Sequence, residues 1–233
     1  MSIDRHNIVA IMHLLQLSDT ALPVGAFSFS STLESASDAG VVHNDESLEA
    51  YTRQIVRTAA LTDGVAALIA WRAIANSDYS MIITADKALF CSKLNDEARQ
   101  MSQRMGRKLT ELMMPMLRHS LFTKWRDDIM EQNTYGTYAV TQAIIAKVCD
   151  INELELFCSL CYGAAGIVLG AALRCTRTTH LATQGILFRM AKFIEPLYEE
   201  AAVMTLDEMN SFSPQCDIMA ALHEKGSKRL FMN

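Results

Sequence analysis

The sequence predicts an all-α fold, a single-domain bundle of roughly eight to ten helices. Apolar residues recur every three or four positions along most of the chain, which is the spacing of an amphipathic helix. Strict alternation of polar and apolar residues is scarce, and only 10 of 233 residues are glycine, so the evidence for strands is weak. No linker rich in proline, glycine or serine divides the chain. We therefore treat 1–233 as one domain, with an N-terminal extension at 1–13 and a tail at 211–233.

An ordered corner is predicted after the first helix. The apolar run at 8–17 has helical spacing, and it stops at Asp19, a residue whose short side chain bonds to nearby backbone. Pro23 fixes its own φ angle, and Gly25 can adopt the positive φ that a bend requires. A second helix with a polar first turn is expected at 27–38, where a glycine follows as its C-terminal cap.

The remaining helices are predicted from periodicity and from cap residues. Asn44 precedes two acidic residues in the first turn of a helix. Asp150 and Glu153 resemble a capping box, and Pro214 suits the first position of a short last helix. The predicted helical segments are 45–59, 65–75, 80–92, 96–115, 137–149, 153–173, 181–202 and 215–224.

The segment 156–173 carries no charged residue and is about as long as a membrane span. It contains polar residues and three glycines, and charges flank it on both sides, so we interpret it as the central helix of a bundle. Gly163, Gly166 and Gly170 are expected to let neighbouring helices approach closely, which would offset the cost of about 1 kcal/mol that each glycine carries in a helix.

The overall charge and the cysteine content indicate the class of partner and the compartment. The net charge is −5, which argues against nucleic acid, because phosphates favour a basic surface. The N-terminus lacks the features of a secretory signal. Six cysteines in 233 residues are too sparse for a disulfide framework, so we expect reduced thiols and a cytoplasmic location, with no membrane partner.

No catalytic motif is present in the sequence. It lacks a phosphate-binding loop, a nucleophile elbow and a His-Glu-x-x-His pair. Cys158 and Cys161 lie three residues apart and could share a metal ion, but apolar surroundings favour inert buried thiols. We therefore predict a non-enzymatic interaction protein. The alternatives are an enzyme that uses an unrecognised helical pocket and a small helical metal carrier that binds its ion through cysteine and histidine.

Three segments resemble one known family. Residues 14–34 read LLQLSDTALPVGAFSFSSTLE, which closely resembles the N-terminal signature of the UreF family of urease accessory proteins. The helix containing Arg99, Ser102, Gly106 and Leu109 resembles the central motif of that family. The closing pattern of the family is matched by Asp217-Ile218, His223-Glu224 and Arg229-Leu230-Phe231. The three matches occur in the family's order and span nearly the whole chain.

The resemblance implies a chaperone for nickel insertion into apo-urease. Members of this family form dimers that bridge the UreD/UreH scaffold and the GTPase UreG and regulate GTP-dependent activation. No cofactor is expected to bind stably, since nickel and GTP belong to the pathway and the partner. The tail is expected to order on UreD/UreH, and the corner to contact UreG. The residues assigned to partner contacts are Asp19, Pro23, Gly25, Phe27, Ser28, Ser30, Glu34, Arg107, Asp217, His223, Glu224, Arg229, Leu230 and Phe231.

Two places depart from the family pattern. The loop from Arg174 to His180 keeps the arginine but lacks the proline, glycine and glutamine that relatives often carry there. The Gly-His pair of the family is replaced here by Gly136-Thr137. We transfer no role to the missing residues.

Overall fold

The computed structural model describes residues 5–225 and 230–231. Within these residues all regular structure is helical, which confirms the predicted all-α fold. Two short 3₁₀ helices, Ala26–Ser28 and Leu206–Glu208, lie between the α-helices. The α-helices are α1 (Arg5–Ser18), α2 (Leu33–Asp38), α3 (Asp45–Ala59), α4 (Val65–Ala75), α5 (Tyr79–Ser92), α6 (Asp96–Met113), α7 (Ser120–Met130), α8 (Tyr138–Val148), α9 (Glu153–Cys175), α10 (His180–Val203) and α11 (Pro214–Lys225).

Helices α3 and α4 form one continuous rod. A π-helical turn, Ala60–Gly64, joins them into a helix of 31 residues, Asp45–Ala75. Counted this way, the described ranges contain ten helical rods, within the predicted number. A Cβ atom on Gly64 would lie 2.7 Å from Cε2 of Phe157. The glycine therefore lets α9 pack closely against the turn and does not end the helix.

Two clusters of buried apolar side chains fill the interior. One lies mainly among α4 to α8 and contains Phe122 and Trp125, both fully buried. The other lies mainly among α2, α3, α9, α10 and α11, with Leu33 and Phe157 fully buried and Phe231 4% exposed. Full burial of each large side chain contributes about 1.5–3 kcal/mol. Helix α9 contacts α1, α2, α3, α4, α8 and α10, so it occupies the central position that its composition predicts.

Only one of the three α9 glycines makes the predicted close contact. A Cβ atom on Gly166 would lie 3.3 Å from Cγ2 of Thr20. A Cβ atom on Gly163 or Gly170 would have no atom within 4 Å, so the prediction was wrong for these two. Gly163 is half-buried and Gly170 is exposed, and both line an open cavity beside α9.

Two helices are long and apolar enough to cross a membrane by length and composition alone, Asp45–Ala75 and Glu153–Cys175. More than half of the apolar window in each, 56%, is buried inside the protein. The core helices of a soluble protein need the same composition, so these two segments are weak evidence for a membrane span.

The cap of α9 differs from the prediction by two residues. Asn152 accepts a hydrogen bond from the backbone N–H of Glu155, and the Glu155 side chain accepts one from the backbone N–H of Asn152. Asp150 instead adopts a left-handed conformation with φ 56°. The predicted cap of α3 is confirmed, since the Asn44 side chain accepts from the backbone N–H of Ser47.

The last two helices lie within one residue of the predicted bounds 181–202 and 215–224 at each described end. Helix α10 continues through Pro196, and α11 begins at Pro214. The predicted end of the last helix at Gly226 lies outside the described residues, as does Arg229.

Candidate partner-binding site

The corner after α1 is ordered by local hydrogen bonds. The Asp19 carboxylate accepts from the backbone N–H of Ala21 at 2.8 Å. The backbone N–H of Leu22 donates to the Asp19 carbonyl at 3.0 Å, and that of Val24 donates to the Leu22 carbonyl at 2.7 Å. Gly25 has φ 86°, the positive value predicted for it. The chain therefore leaves α1 in a fixed direction.

The segment after the corner is not the single helix that was predicted. A short 3₁₀ turn comes first, and Ser31 and Thr32 then have positive φ angles of 52° and 62°. Such a conformation costs roughly 1–3 kcal/mol for a residue other than glycine. The Tyr51 hydroxyl of α3 donates to the Ser31 carbonyl at 3.0 Å and lies 2.6 Å from the Thr32 hydroxyl. Tyr51 thus holds the turn that delays α2 until Leu33, and burial raises the pKa of Tyr51.

Some side chains of the corner and the segment after it are exposed to solvent, and others are buried. Phe27 is 73% exposed, and Pro23, Gly25 and Ser28 are also exposed. Ser30 is fully buried, so its hydroxyl is inside the protein in this conformation. A surface of this kind, with an exposed aromatic ring on an ordered turn, is suited to contact with another protein.

The last helix is fastened to the body through a buried histidine. The His223 side chain, 3% exposed, lies between two carboxylates. Its Nδ1 atom is 3.0 Å from both carboxylate oxygens of Glu97 on α6, and its Nε2 atom is 3.3 Å from Oε2 of Glu34 on α2. Glu34 also accepts hydrogen bonds from the backbone N–H groups of Leu230 at 2.7 Å and Phe231 at 3.2 Å. We call this arrangement of Glu34, Glu97 and His223 the clasp.

Arg174, at the end of α9, joins the corner to the tail. Its guanidinium carbon lies 3.7 Å from the ring centroid of Phe27 and 4.2 Å from that of Phe231. Its Nη1 atom donates to the Phe27 carbonyl at 2.9 Å. Each cation–π contact contributes about 0.5–1 kcal/mol or more. The N-terminal and C-terminal signatures, almost 200 positions apart, therefore form one surface.

The other predicted residues are placed differently. Asp217 is half-buried on α11, and burial raises its pKa. Leu230 is 64% exposed, whereas Phe231 is buried in the protein's own core. Arg107 is exposed on α6, ten residues after Glu97 and so about 15 Å further along the helix. The structure does not bring Arg107 to the surface formed by the corner and the tail.

An open cavity of about 590 Å³ adjoins this surface. At its edge, Lys93 bonds to Asp63 at 2.8 Å, and both side chains are mostly buried. Because the two charges neutralise each other, this pair supports the π-helical turn and supplies no free nucleophile or base. The lining includes Asp19, Phe27, Thr32, Gly170, Arg174 and Asp217.

Comparison with known proteins decides the family. The sequence profile of the UreF family matches residues 42–191. The chain is 41% identical over 227 residues to urease accessory protein UreF 2 of Brucella canis, covering 97% of this chain and 93% of the relative. It is 39% identical over 227 residues to urease accessory protein UreF of Yersinia pestis, covering 97% of this chain and all of the relative. The chain belongs to the UreF family. These UreF relatives are named as accessory proteins and not as enzymes.

In the described part of this UreF chain, the cysteine pair has no third His, Cys, Asp or Glu side chain placed to share a metal ion with it. Cys158 is exposed and Cys161 is buried. Burial raises the pKa of both thiols, and that of Cys161 most strongly, which disfavours the thiolate that a metal needs. Among the side chains that the structure describes, in residues 8–223 and 230–231, no group of three or more His, Cys, Asp or Glu could hold a metal ion.

Several residues of this UreF surface were not predicted from the sequence. Glu97 is part of the clasp. Arg174 stacks on Phe27 and Phe231, and Tyr51 holds the turn at Ser31 and Thr32. Glu97 and Tyr51 are single residues on helices whose spacing indicates only amphipathicity. The one available signal was that Arg174 persists where the rest of its loop departs from the family pattern.

Proposed function

We propose that this chain is a urease accessory protein that acts as a chaperone for nickel insertion into apo-urease. In this proposal it bridges the UreD/UreH scaffold and the GTPase UreG, regulates GTP-dependent activation in the cytoplasm, and has no catalytic activity of its own. Nickel is the cargo, and GTP is bound by the partner. The observation that supports the proposal best is the stacking of Arg174 between Phe27 and Phe231, because it joins the two signatures into one surface.

The two parts of this surface offer different contacts to two partners. Phe27 is an exposed aromatic side chain held on an ordered corner, which suits the GTPase contact. Leu230 is an exposed apolar side chain beside the Arg229 position, which suits the scaffold contact. Aromatic and arginine side chains carry most of the binding energy in protein interfaces. A bridging role requires that both contacts be made by one rigid body, which the helical core supplies.

We expect Arg229→Glu to lower affinity for the UreD/UreH scaffold by at least about 100-fold, since reversing a charge at an interface leaves the partner charge unpaired. Pull-down of the scaffold by purified variants measures this loss. Arg118→Glu is the matched control, because Arg118 is exposed on the connection between α6 and α7. Helical content from circular dichroism should be unchanged in both variants. Unaltered scaffold capture by Arg229→Glu would remove the tail from the interface.

Co-purification with urease accessory proteins tests the role as a whole. The full chain should retain both the scaffold and the GTPase, and a chain that lacks residues 211–233 should lose the scaffold. Full activation of urease in cells that lack this protein would contradict the proposed function.

We also propose that the active form is a homodimer that buries the cavity-lining face of α9. Gly163 and Gly170 lie on this face, and Tyr162 beside them is 40% exposed. Helix α1 packs on α9 and leaves Met12 and Leu15 more than half exposed. An apolar surface of this kind is typical of an interface between identical chains.

The change Gly163→Glu is expected to give a monomer. A Cβ atom at this position meets nothing within 4 Å, so the fold should tolerate the new side chain, whereas a charge buried in an apolar interface is costly. Light scattering after size-exclusion chromatography measures the mass. Gly185→Glu on α10 is the control and should remain dimeric. A Gly163→Glu dimer as stable as the wild type would place the interface elsewhere.

A further inference from the structure

The clasp places one buried imidazole between two groups that can only accept hydrogen bonds. Glu97 faces Nδ1 of His223, and Glu34 faces Nε2. The two carboxylates come from different helices, α6 and α2, and their side chains are 11% and 13% exposed. Water therefore has little access to the three groups.

A neutral imidazole ring carries one N–H donor and one acceptor nitrogen, whereas the charged ring carries two donors. Only the charged form of His223 can donate to Glu34 and Glu97 at once. We propose that the proton on His223 is a switch that fastens α11, and with it Leu230 and Phe231, to the body of the protein.

Loss of the proton should weaken the contacts of the whole C-terminal end, and not only those of His223. One ring nitrogen would then present its lone pair to a carboxylate, which is repulsive, and one of the two charge-assisted hydrogen bonds would be lost. Glu34 also binds the backbone N–H groups of Leu230 and Phe231. A shift of Glu34 or of α11 therefore releases the end of the chain and separates Phe231 from Arg174.

The direction of the pH dependence follows from the same chemistry. The charged ring is the form present at lower pH, so the segment is fastened there and is released as the pH rises and the ring loses its proton. Among the described residues, the other titratable or charged groups near this junction include Asp217 on α11, Asp38 at the end of α2, and Arg174 and Cys175 at the end of α9. Burial, followed by the charge of Glu34, raises the pKa of the Cys175 thiol to about 11, so this thiol is neutral near neutral pH.

Nuclear magnetic resonance on the full chain, labelled with nitrogen-15 at leucine, phenylalanine and histidine, tests the switch. Between about pH 5.5 and pH 8.5 the amide signals of Leu230 and Phe231 should change together with the ring signals of His223. The ratio of fastened to released chain should fall by about tenfold or more, as expected for the loss of one hydrogen bond to a charged group. Amide signals that stay constant over this range would overturn the proposal.

Two variants and one control separate the switch from a general effect of pH. Glutamine does not titrate, so in His223→Gln the amide signals of Leu230 and Phe231 should not change with pH. In Glu97→Gln the new amide can donate to a neutral ring while Nε2 still donates to Glu34, so the tail should remain fastened at about pH 8.5. His43→Gln, which changes an exposed histidine, should keep the response of the wild type. Release of the tail in Glu97→Gln at high pH, or an undiminished response in His223→Gln, would contradict the role of this proton.

Discussion

Replacing Asp86 with alanine is expected to lower the free energy of unfolding by about 5 kcal/mol or more, because several buried donors lose their acceptor together. Asp86 on α5 is fully buried. Its carboxylate accepts from the hydroxyls of Thr134 and Thr137 and from the backbone N–H groups of Tyr135, Gly136 and Thr137. These donors belong to the loop that precedes α8. Losing their hydrogen bonds should therefore also weaken the packing of α6 against α8.

Chemical denaturation followed by circular dichroism measures the change at Asp86. Lys87→Ala is the control, because Lys87 is the next residue on the same helix and is exposed. It should alter stability by less than about 0.5 kcal/mol, as surface substitutions usually do. Asp86→Asn keeps one acceptor oxygen, so its loss of stability should lie between those of Asp86→Ala and Lys87→Ala. A loss below about 1 kcal/mol for Asp86→Ala would show that water or other groups can satisfy the loop.

The helices were predictable because their signals are local. Asn44 caps α3 and Pro214 opens α11 at the expected positions, and each signal acts within one turn of its helix. The segment 27–38 was not predictable in the same way. Its break at Ser31 and Thr32 depends on a hydroxyl supplied by Tyr51, about twenty positions later in the chain.

The predictions for α7 and for the glycines of α9 failed for a similar reason. Helix α7 lies between Pro115 and Tyr135, where no separate helix was predicted, and its first turn is capped by the His119 ring, an uncommon cap. The glycines of α9 were correctly placed on a helix. Which of them would touch a neighbour depends on the position of α1, and helix periodicity carries no information about that position.

The candidate site was predictable only in part. The resemblance identified the corner and the tail as separate elements, and residue spacing could not show that they meet. Arg174 brings them together because the end of α9 lies between them, which is a consequence of the tertiary fold. The clasp likewise needs three helices, so Glu97 could not be distinguished in the sequence from the other acidic residues of α6.

The change Gly106→Ala is expected to destabilise the protein by at least about 3 kcal/mol or to prevent folding, since overpacking against rigid atoms forces the backbone to move. A Cβ atom on Gly106 of α6 would lie 2.0 Å from the Gly136 carbonyl oxygen and 2.9 Å from the backbone nitrogen of Tyr138. These are backbone atoms, and the same loop is held by its hydrogen bonds to Asp86. No flexible side chain is available to make room.

Gly185→Ala on α10 separates this steric effect from the general effect of replacing glycine in a helix. Its Cβ atom would approach only the end of the Arg189 side chain, at 3.3 Å, and that side chain can move. Alanine is favoured over glycine in helices by up to about 1 kcal/mol, so Gly185→Ala should be neutral or stabilising in the same denaturation experiment. If Gly106→Ala behaved like Gly185→Ala, the contact between α6 and the start of α8 would be looser than the geometry requires. The retention of glycine in the central motif would then need a cause other than packing.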